Sequence, residues 1–399
     1  MSNVNEKKMA LGKVRSAIRD LFEYGNQRAK EIGRENVYDF SLGNPSVPAP
    51  EKIKETMIDY LTNMDPIQLH GYTSAQGAED VRIAIAENIN KRFAAGVGKD
   101  DIYMTCGAAA SLTVSLNAII NPGDEVIAIA PFFPEYRVFA EEAGAKFVEA
   151  APDYESFMIN FEDLERVLNA NTKAIIINSP NNPTGVVFTT EVLEKLCALL
   201  VEKQNEYGHP IFLIADEPYR ELVYGDAEVP YLVNLYANTL VCYSYSKSFS
   251  LPGERIGYIV VGPACEDHDD VYAAVCGAGR ALGYVCAPSM MQRVVSACLD
   301  VESDLETYKK NRDLLYNALV EYGFECVHPD GAFYLFVKAP EADAKVFCEK
   351  AKKYELLLVP SDSFGCEGYV RIAYCVSTDM IERSLPAFKK LAEEYQKNA

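Results

Sequence analysis

The chain has 399 residues, 49% of them hydrophobic, enough for a large core and on length alone for two domains. Its 58 acidic residues against 38 basic ones give a net charge of −20 with no Lys/Arg run, which argues against nucleic acid and anionic membrane as partners. The stretch Met1–Ala10 is polar rather than signal-like, and no segment approaches the roughly 18 apolar residues of a membrane span, so a cytoplasmic protein is expected.

From the N-terminus, the segment through Phe40 reads as helix and is followed by the breakers Gly43, Pro45, Pro48 and Pro50. Thr105-Cys106-Gly107-Ala108-Ala109 precedes a helical stretch from Ser111. Backbone N–H groups at a helix start attract anions, and small residues permit close approach; the same residues serve close helix packing equally well. Strands are expected at Glu125–Ala130, Ala174–Asn178, Ile211–Ala215, Leu240–Tyr245 and Tyr258–Val261. Amphipathic helical patterns at Glu135–Ala143, Phe161–Asn169 and Thr190–Gln204 alternate with them. Nearly continuous apolar strands separated by helices predict an α/β layer with a mostly parallel sheet and right-handed crossovers.

Chemistry-bearing residues cluster where these strands end. After the first comes Pro131-Phe132-Phe133-Pro134-Glu135-Tyr136, whose paired phenylalanines are core residues unless one stacks on an aromatic ligand at the mouth of the sheet. After the second comes Asn181-Asn182-Pro183-Thr184-Gly185, a turn by composition that also presents Asn182 at a strand's carboxyl end, where ligands bind in such sheets. Asp216-Glu217-Pro218-Tyr219 ends the third strand; Asp216 either caps a helix or sets a carboxylate against a protonated ring nitrogen. Ser244-Tyr245-Ser246-Lys247 ends the fourth. A lysine in this apolar, Ser- and Tyr-rich setting needs a reason, and lysine amines form Schiff bases with aldehydes. Eight positions on, Arg255 in Pro252-Gly253-Glu254-Arg255-Ile256-Gly257 suits a phosphate dianion.

The last third changes character. Pro288–Glu321 reads as one long helix, Gly331–Val337 and Gly368–Ala373 as strands, and Thr378–Gln396 as a closing helix. The expected division is a large domain over residues 51–288 and a smaller α+β domain from residues 1–50 and 289–399. Arg371 stands in the apolar run Tyr369-Val370-Arg371-Ile372-Ala373 and calls for a carboxylate, from the protein or from a substrate. Eleven cysteines without C-x-x-C pairs, and four histidines, offer neither a disulfide framework nor a zinc site. They read as small buried hydrophobes of a reducing compartment.

In this order, the segments resemble the class I/II aminotransferases among the fold type I pyridoxal-phosphate enzymes, from about Val14 to the C-terminus. The resemblance implies that Lys247 holds pyridoxal 5'-phosphate as a Schiff base, that Asp216 pairs with its ring nitrogen, and that Asn182 and Tyr219 bind its phenolic oxygen. It implies Phe133 as the stacking ring, in place of the family's usual Tyr or Trp. Ser244, Arg255 and the turn Gly107, Ala108, Ala109 would hold the phosphate. Tyr72, in Gly71-Tyr72-Thr73, resembles the tyrosine that reaches a phosphate in the neighbouring subunit, which implies a homodimer with shared active sites. Arg371 would bind the substrate α-carboxylate, with the Gly43 backbone beside it. At positions 108 to 110, where the family often carries hydroxyl or amide side chains, all three residues are alanine. A distal carboxylate would have to be read elsewhere; Arg280 lies near where a related subgroup supplies an arginine, and is otherwise a surface or structural residue.

The expected reaction is a ping-pong transfer of an amino group from an L-amino acid to a 2-oxo acid, with Lys247 as proton carrier and aspartate with 2-oxoglutarate as the leading pair. Alanine, an aromatic amino acid, or a carbon–sulfur lyase reaction on the same scaffold remain open, since a scaffold does not fix a reaction. A non-catalytic sensor would need a DNA-binding domain, which is not seen here, and a nicotinamide dehydrogenase would need a Gly-x-Gly-x-x-Gly turn after its first strand.

Overall fold

The computed structural model describes residues 3–13 and 17–396, so Val14, where the resemblance begins, lies outside the described residues. The chain divides into two compact units. The smaller holds the described residues up to Ser46 with Glu306–Pro329 and Phe333 onward; the larger holds Val47–Leu305 and Asp330–Ala332.

The smaller unit starts with helices Glu6–Lys13 and Ala17–Ile32 and strand β1 (Tyr38–Asp39). Helix does not run through Phe40 as expected. It ends at Ile32, where Gly33 takes a φ of +91° that a side chain would resist, and the chain beyond is drawn into strand pairing.

Strands β2 (Ile102–Thr105), β3 (Glu125–Ile129), β4 (Lys146–Ala150), β5 (Thr172–Asn178), β6 (Phe212–Asp216), β7 (Thr239–Ser244) and β8 (Gly257–Val261) build the sheet of the larger unit. Their order is β2-β8-β7-β6-β5-β3-β4. Only β8 runs against its neighbours, β2 and β7; the remaining pairs are parallel. Strands β3, β6, β7 and β8 are buried along their whole length, which is why their sequences are apolar without alternation. On one face, Leu112, Leu116, Val126, Ile176, Ile214, Cys242, Ile259 and Val275 join helices Ala108–Ile119 and His268–Ala281 to the strands in a single cluster. Parallel strands with helical crossovers point their carboxyl ends the same way, so residues 178, 216 and 244 share one edge of the sheet.

The long helix expected over Pro288–Glu321 is two helices, Ser289–Ser296 and Leu305–Glu321. The first buries Met291, Val294 and Val295 and packs on helices Glu51–Asn63, Pro66–His70 and Glu79–Phe93 of the larger unit. Between the two helices, the Ser303 hydroxyl donates to the Ser248 carbonyl at 2.6 Å, a tertiary contact that overrides the local helical preference.

Back in the smaller unit come β9 (Tyr334–Lys338), β10 (Leu356–Leu357), β11 (Val359–Pro360) and β12 (Tyr369–Ala373). β12 lies antiparallel between β11 and β9, and β1 pairs parallel with β10. Leu21 and Val37 from the N-terminal segment share a core with Leu357, Val359 and Phe364. The closing helix Thr378–Gln396 has the expected bounds.

Candidate active site

Helix Ala108–Ile119 begins at Gly107, whose φ is +87°, and no side chain caps its first turn. Its leading N–H groups therefore keep their capacity to bind an anion. A Cβ added to Gly107 would sit 2.6 Å from Arg255 Nη2, so the guanidinium occupies the space that glycine leaves. Arg255 Nη1 also donates to Ser246 Oγ at 3.3 Å, and Ser244 Oγ donates to Ser246 Oγ at 2.8 Å. Gly257, at the start of β8, is wedged here: a Cβ on it would lie 3.1 Å from Gly107 Cα and 3.3 Å from Ser244 Cα. Gly107, Ser244, Ser246 and Arg255 thus converge from β2, β7 and the β7–β8 connection into a cradle of N–H, hydroxyl and guanidinium donors, matched to a phosphate dianion. Ala108 is half-buried and Ala109 exposed at its rim.

On the strand next to β7, Asp216 ends β6, buried to 5% exposure. The Tyr136 hydroxyl donates to its Oδ2, while its Oδ1 is buried with no hydrogen-bond partner among the described residues. Burial pushes the carboxyl up to about 7; the Tyr136 hydrogen bond works against that shift, and the nearby Glu217 charge adds to it. Glu217 itself is held by Arg220 at 2.5 Å in a buried ion pair. A buried acceptor without a donor, in a carboxyl that resists ionising, suits a cationic ring N–H and so fits the pyridinium of pyridoxal phosphate.

Asn182 and Tyr219 are both buried, at 6% and 5% exposure, in the loops that follow β5 and β6. Asn181 stiffens the first loop by accepting from the Thr184 N–H and hydroxyl, at 3.0 and 2.8 Å. Lys247 is half-buried in the short helix Tyr245–Ser248 directly after β7. Phe133 is half-buried and meets Tyr136 edge-on, with ring centroids 5.7 Å apart.

Four further candidates remain. Tyr72 is 89% exposed, and Arg280 is exposed in the last turn of helix His268–Ala281. In the smaller unit Arg371 is 2% exposed, pairs in register with Phe336 and Val359, and donates to the Ser41 carbonyl at 2.6 Å. Its guanidinium lies over the Tyr334 ring at 4.7 Å. The Tyr334 hydroxyl in turn abuts Gly43: a Cβ there would be 2.0 Å from it. Gly43 and Arg371 therefore belong to one constellation, with Ser41 tied to Asp39 Oδ1 by a 2.6 Å hydroxyl bond.

Sequence reasoning assigned no role to Tyr136, Asn178 or Ser246, though all three sit in segments it singled out. Asn178 and Ser246 also have partners four and two residues away, but the contacts that give the three residues their place in the site lie 80, 38 and 9 residues off, which local sequence does not mark.

Comparison with known proteins identifies the family. The family described as aminotransferase class I and II matches residues 35–388. An aminotransferase structure from Eubacterium rectale superposes with a TM-score of 0.97 at 55% identity, covering 99% of this chain and 100% of that one. The aspartate aminotransferase of Thermotoga maritima is 30% identical over 88% of this chain and 90% of its own length. For the aspartate/prephenate aminotransferase of Thermus thermophilus the identity is also 30%, over 92% and 94%. The chain belongs to the class I and II aminotransferases, a family of pyridoxal-phosphate-dependent enzymes.

Proposed function

We propose that this aminotransferase holds pyridoxal 5'-phosphate at the carboxyl edge of the large sheet and uses it to move the amino group of aspartate to 2-oxoglutarate. The observation that carries the reading is Asp216, a buried carboxyl with one oxygen braced by Tyr136 and the other lacking a donor, on the same sheet edge as the Gly107–Ser246–Arg255 cradle. When bound, the cofactor supplies an aldehyde that condenses with amines and a protonated ring that withdraws electrons from the α-carbon.

Each residue then has a task. The N–H groups of Gly107, Ala108 and Ala109, with Ser244, Ser246 and Arg255, hold the phosphate dianion. Asp216 stays ionised against the ring N–H, with the Tyr136 hydroxyl fixing its second oxygen. Asn182 and Tyr219 donate to the phenolic oxygen, and Phe133 stacks on the ring. Arg371 takes the substrate α-carboxylate, with the Gly43 backbone beside it, which orients the amino acid. The Lys247 Nζ would hold the cofactor through its aldehyde, as the amine of a substrate amino acid also could. The Lys247 amine, when free, takes the α-proton as base and gives it back as acid. Tyr72 completes the phosphate site of a partner protomer in a homodimer. No described helix is long and apolar enough to cross a membrane. A cytoplasmic setting is part of the proposal.

Aspartate is favoured by the names of the relatives, several of which are aspartate or aspartate/prephenate aminotransferases. The test adds each amino acid singly to cofactor-loaded enzyme and follows the cofactor's absorbance and the oxo acid released. Aspartate and glutamate should each discharge the cofactor once, without an acceptor. Discharge by alanine or an aromatic amino acid but by neither dicarboxylate would refute the substrate. Pyruvate and ammonia from cystathionine, with no acceptor present, would mark a carbon–sulfur lyase instead.

A further inference from the structure

We propose that Asn178 is a positioning residue: its side-chain amide locks the Asn182 loop to the strand end that carries Asp216, and so sets the two ring contacts of the cofactor relative to each other. The proposal rests on the pyridoxal-phosphate reading above and adds to it a residue that touches neither cofactor nor substrate.

Asn178 is the last residue of β5, 4% exposed, and its Cα partner on β6 is Asp216. Its Nδ2 donates to the Asp216 carbonyl at 2.8 Å, and its Oδ1 accepts from the Asn182 backbone N–H at 2.7 Å. One planar amide is thus spent at both ends on the two residues assigned to the ring nitrogen and the phenolic oxygen. Its own carbonyl accepts from Asn181 Nδ2 at 3.3 Å, and the same Nδ2 reaches the Pro131 carbonyl at 3.3 Å, which draws in the segment before Phe133.

Chemistry restricts what can stand here. The bridge needs a donor toward a carbonyl and an acceptor toward an N–H, at opposite ends of a rigid group. Aspartate has no donor and would set a charge beside Asp216; serine is too short to span both; leucine would strand a buried N–H and a buried carbonyl. An ordinary turn former satisfies its own loop, whereas this amide joins two loops that leave neighbouring strands. Hydrogen bonds to a ring's two edges depend on sub-ångström placement, so loss of the bridge should weaken the Asn182 contact without touching the phosphate cradle.

The experiment is a double-mutant cycle on cofactor affinity, read by absorbance titration of apoprotein with pyridoxal phosphate, for wild type, Asn178→Ala, Asn182→Ala and the pair. Asn178→Ala should weaken affinity by about tenfold. In the Asn182→Ala background it should add less than about twofold, because both act on one contact. Competition by inorganic phosphate, which draws on the Gly107–Ser246–Arg255 cradle and not on the ring contacts, should be unchanged. The pH midpoint of the bound cofactor's absorbance should move in the same direction for both single variants. Wild-type affinity in Asn178→Ala, or full additivity in the cycle, overturns the proposal. Should Asn178→Ala not fold as apoprotein, Asn178→Ser takes its place; failure of both means that the amide holds the fold rather than the contact, which also overturns it. Wild-type apoprotein that binds no pyridoxal phosphate overturns the underlying reading, an outcome distinct from an additive cycle in protein that does bind.

Discussion

At Asp216, burial and the Glu217 charge oppose the anion while the Tyr136 hydroxyl supports it, leaving the carboxyl pushed up to about 7. An unfolded aspartate titrates near 4, so between about pH 4 and about pH 7 the folded chain retains a proton that the unfolded chain has lost. Stability therefore falls as pH rises through that window and stays reduced above it. Asp216→Asn removes the penalty and keeps an acceptor for Tyr136. Its apoprotein should gain on the order of 1–4 kcal/mol over wild type at about pH 8, and much less at about pH 5. Urea unfolding of both apoproteins at the two pH values checks this; an equal offset at both would contradict it. A bound pyridinium reverses the sign, since a cation at the vacant oxygen draws the carboxyl back down. Arg371 makes a different kind of prediction. A planar guanidinium can grip a carboxylate with two parallel bonds while resting on the Tyr334 ring, and an ammonium cannot. Arg371→Lys should lower kcat/KM for the amino acid by about 10- to 1000-fold, mostly through KM. Steady-state kinetics with an unchanged KM would remove Arg371 from carboxylate binding.

Among the elements, helix Ala108–Ile119 carries two tasks on one length of chain. Its first turn offers N–H groups to an anion, and its buried face, with Leu112, Val114 and Leu116, fastens it to the sheet. Leu116→Ala, at a position with 0% exposure, should cost about 2–5 kcal/mol in urea unfolding, and a loss below about 1 kcal/mol would show that the site collapses without harm. What the sequence discloses follows the same physics. Central strands such as Phe212–Asp216 and Gly257–Val261 are legible because burial on both faces leaves an unbroken apolar run. β4 (Lys146-Phe147-Val148-Glu149-Ala150) is not, since an edge strand open to solvent mixes polar with apolar residues, and β2 is only four residues long. The break between Ser296 and Leu305 is hidden too: no glycine or proline marks it, and Ser303 is drawn aside by a distant carbonyl. In the candidate site, Lys247, Asp216 and Asn182 can be read because each lies at or soon after the end of an apolar strand. Tyr136 and Asn178 cannot, because their parts depend on which strands become neighbours.

For the whole molecule, the exposed Tyr72 is a ring placed where an isolated chain gives it little to hold. As part of a homodimer with shared sites, it predicts complementation. Lys247→Ala chains and Tyr72→Ala chains should each be severely impaired alone. In a refolded equal mixture, half of the dimers are hybrids with one intact site each, so activity should recover to about a quarter of wild type. Activity that does not exceed the sum of the separate variants would exclude sharing through Tyr72.

The central claim, that Lys247 carries the cofactor, is tested most directly by borohydride reduction of the cofactor-loaded enzyme, which turns a Schiff base into a stable secondary amine, followed by peptide mapping with mass spectrometry. A single pyridoxyl phosphate label should appear on Lys247 and vanish in Lys247→Ala, which should also lose transamination. A label on another lysine, or substantial turnover in Lys247→Ala, would contradict the claim.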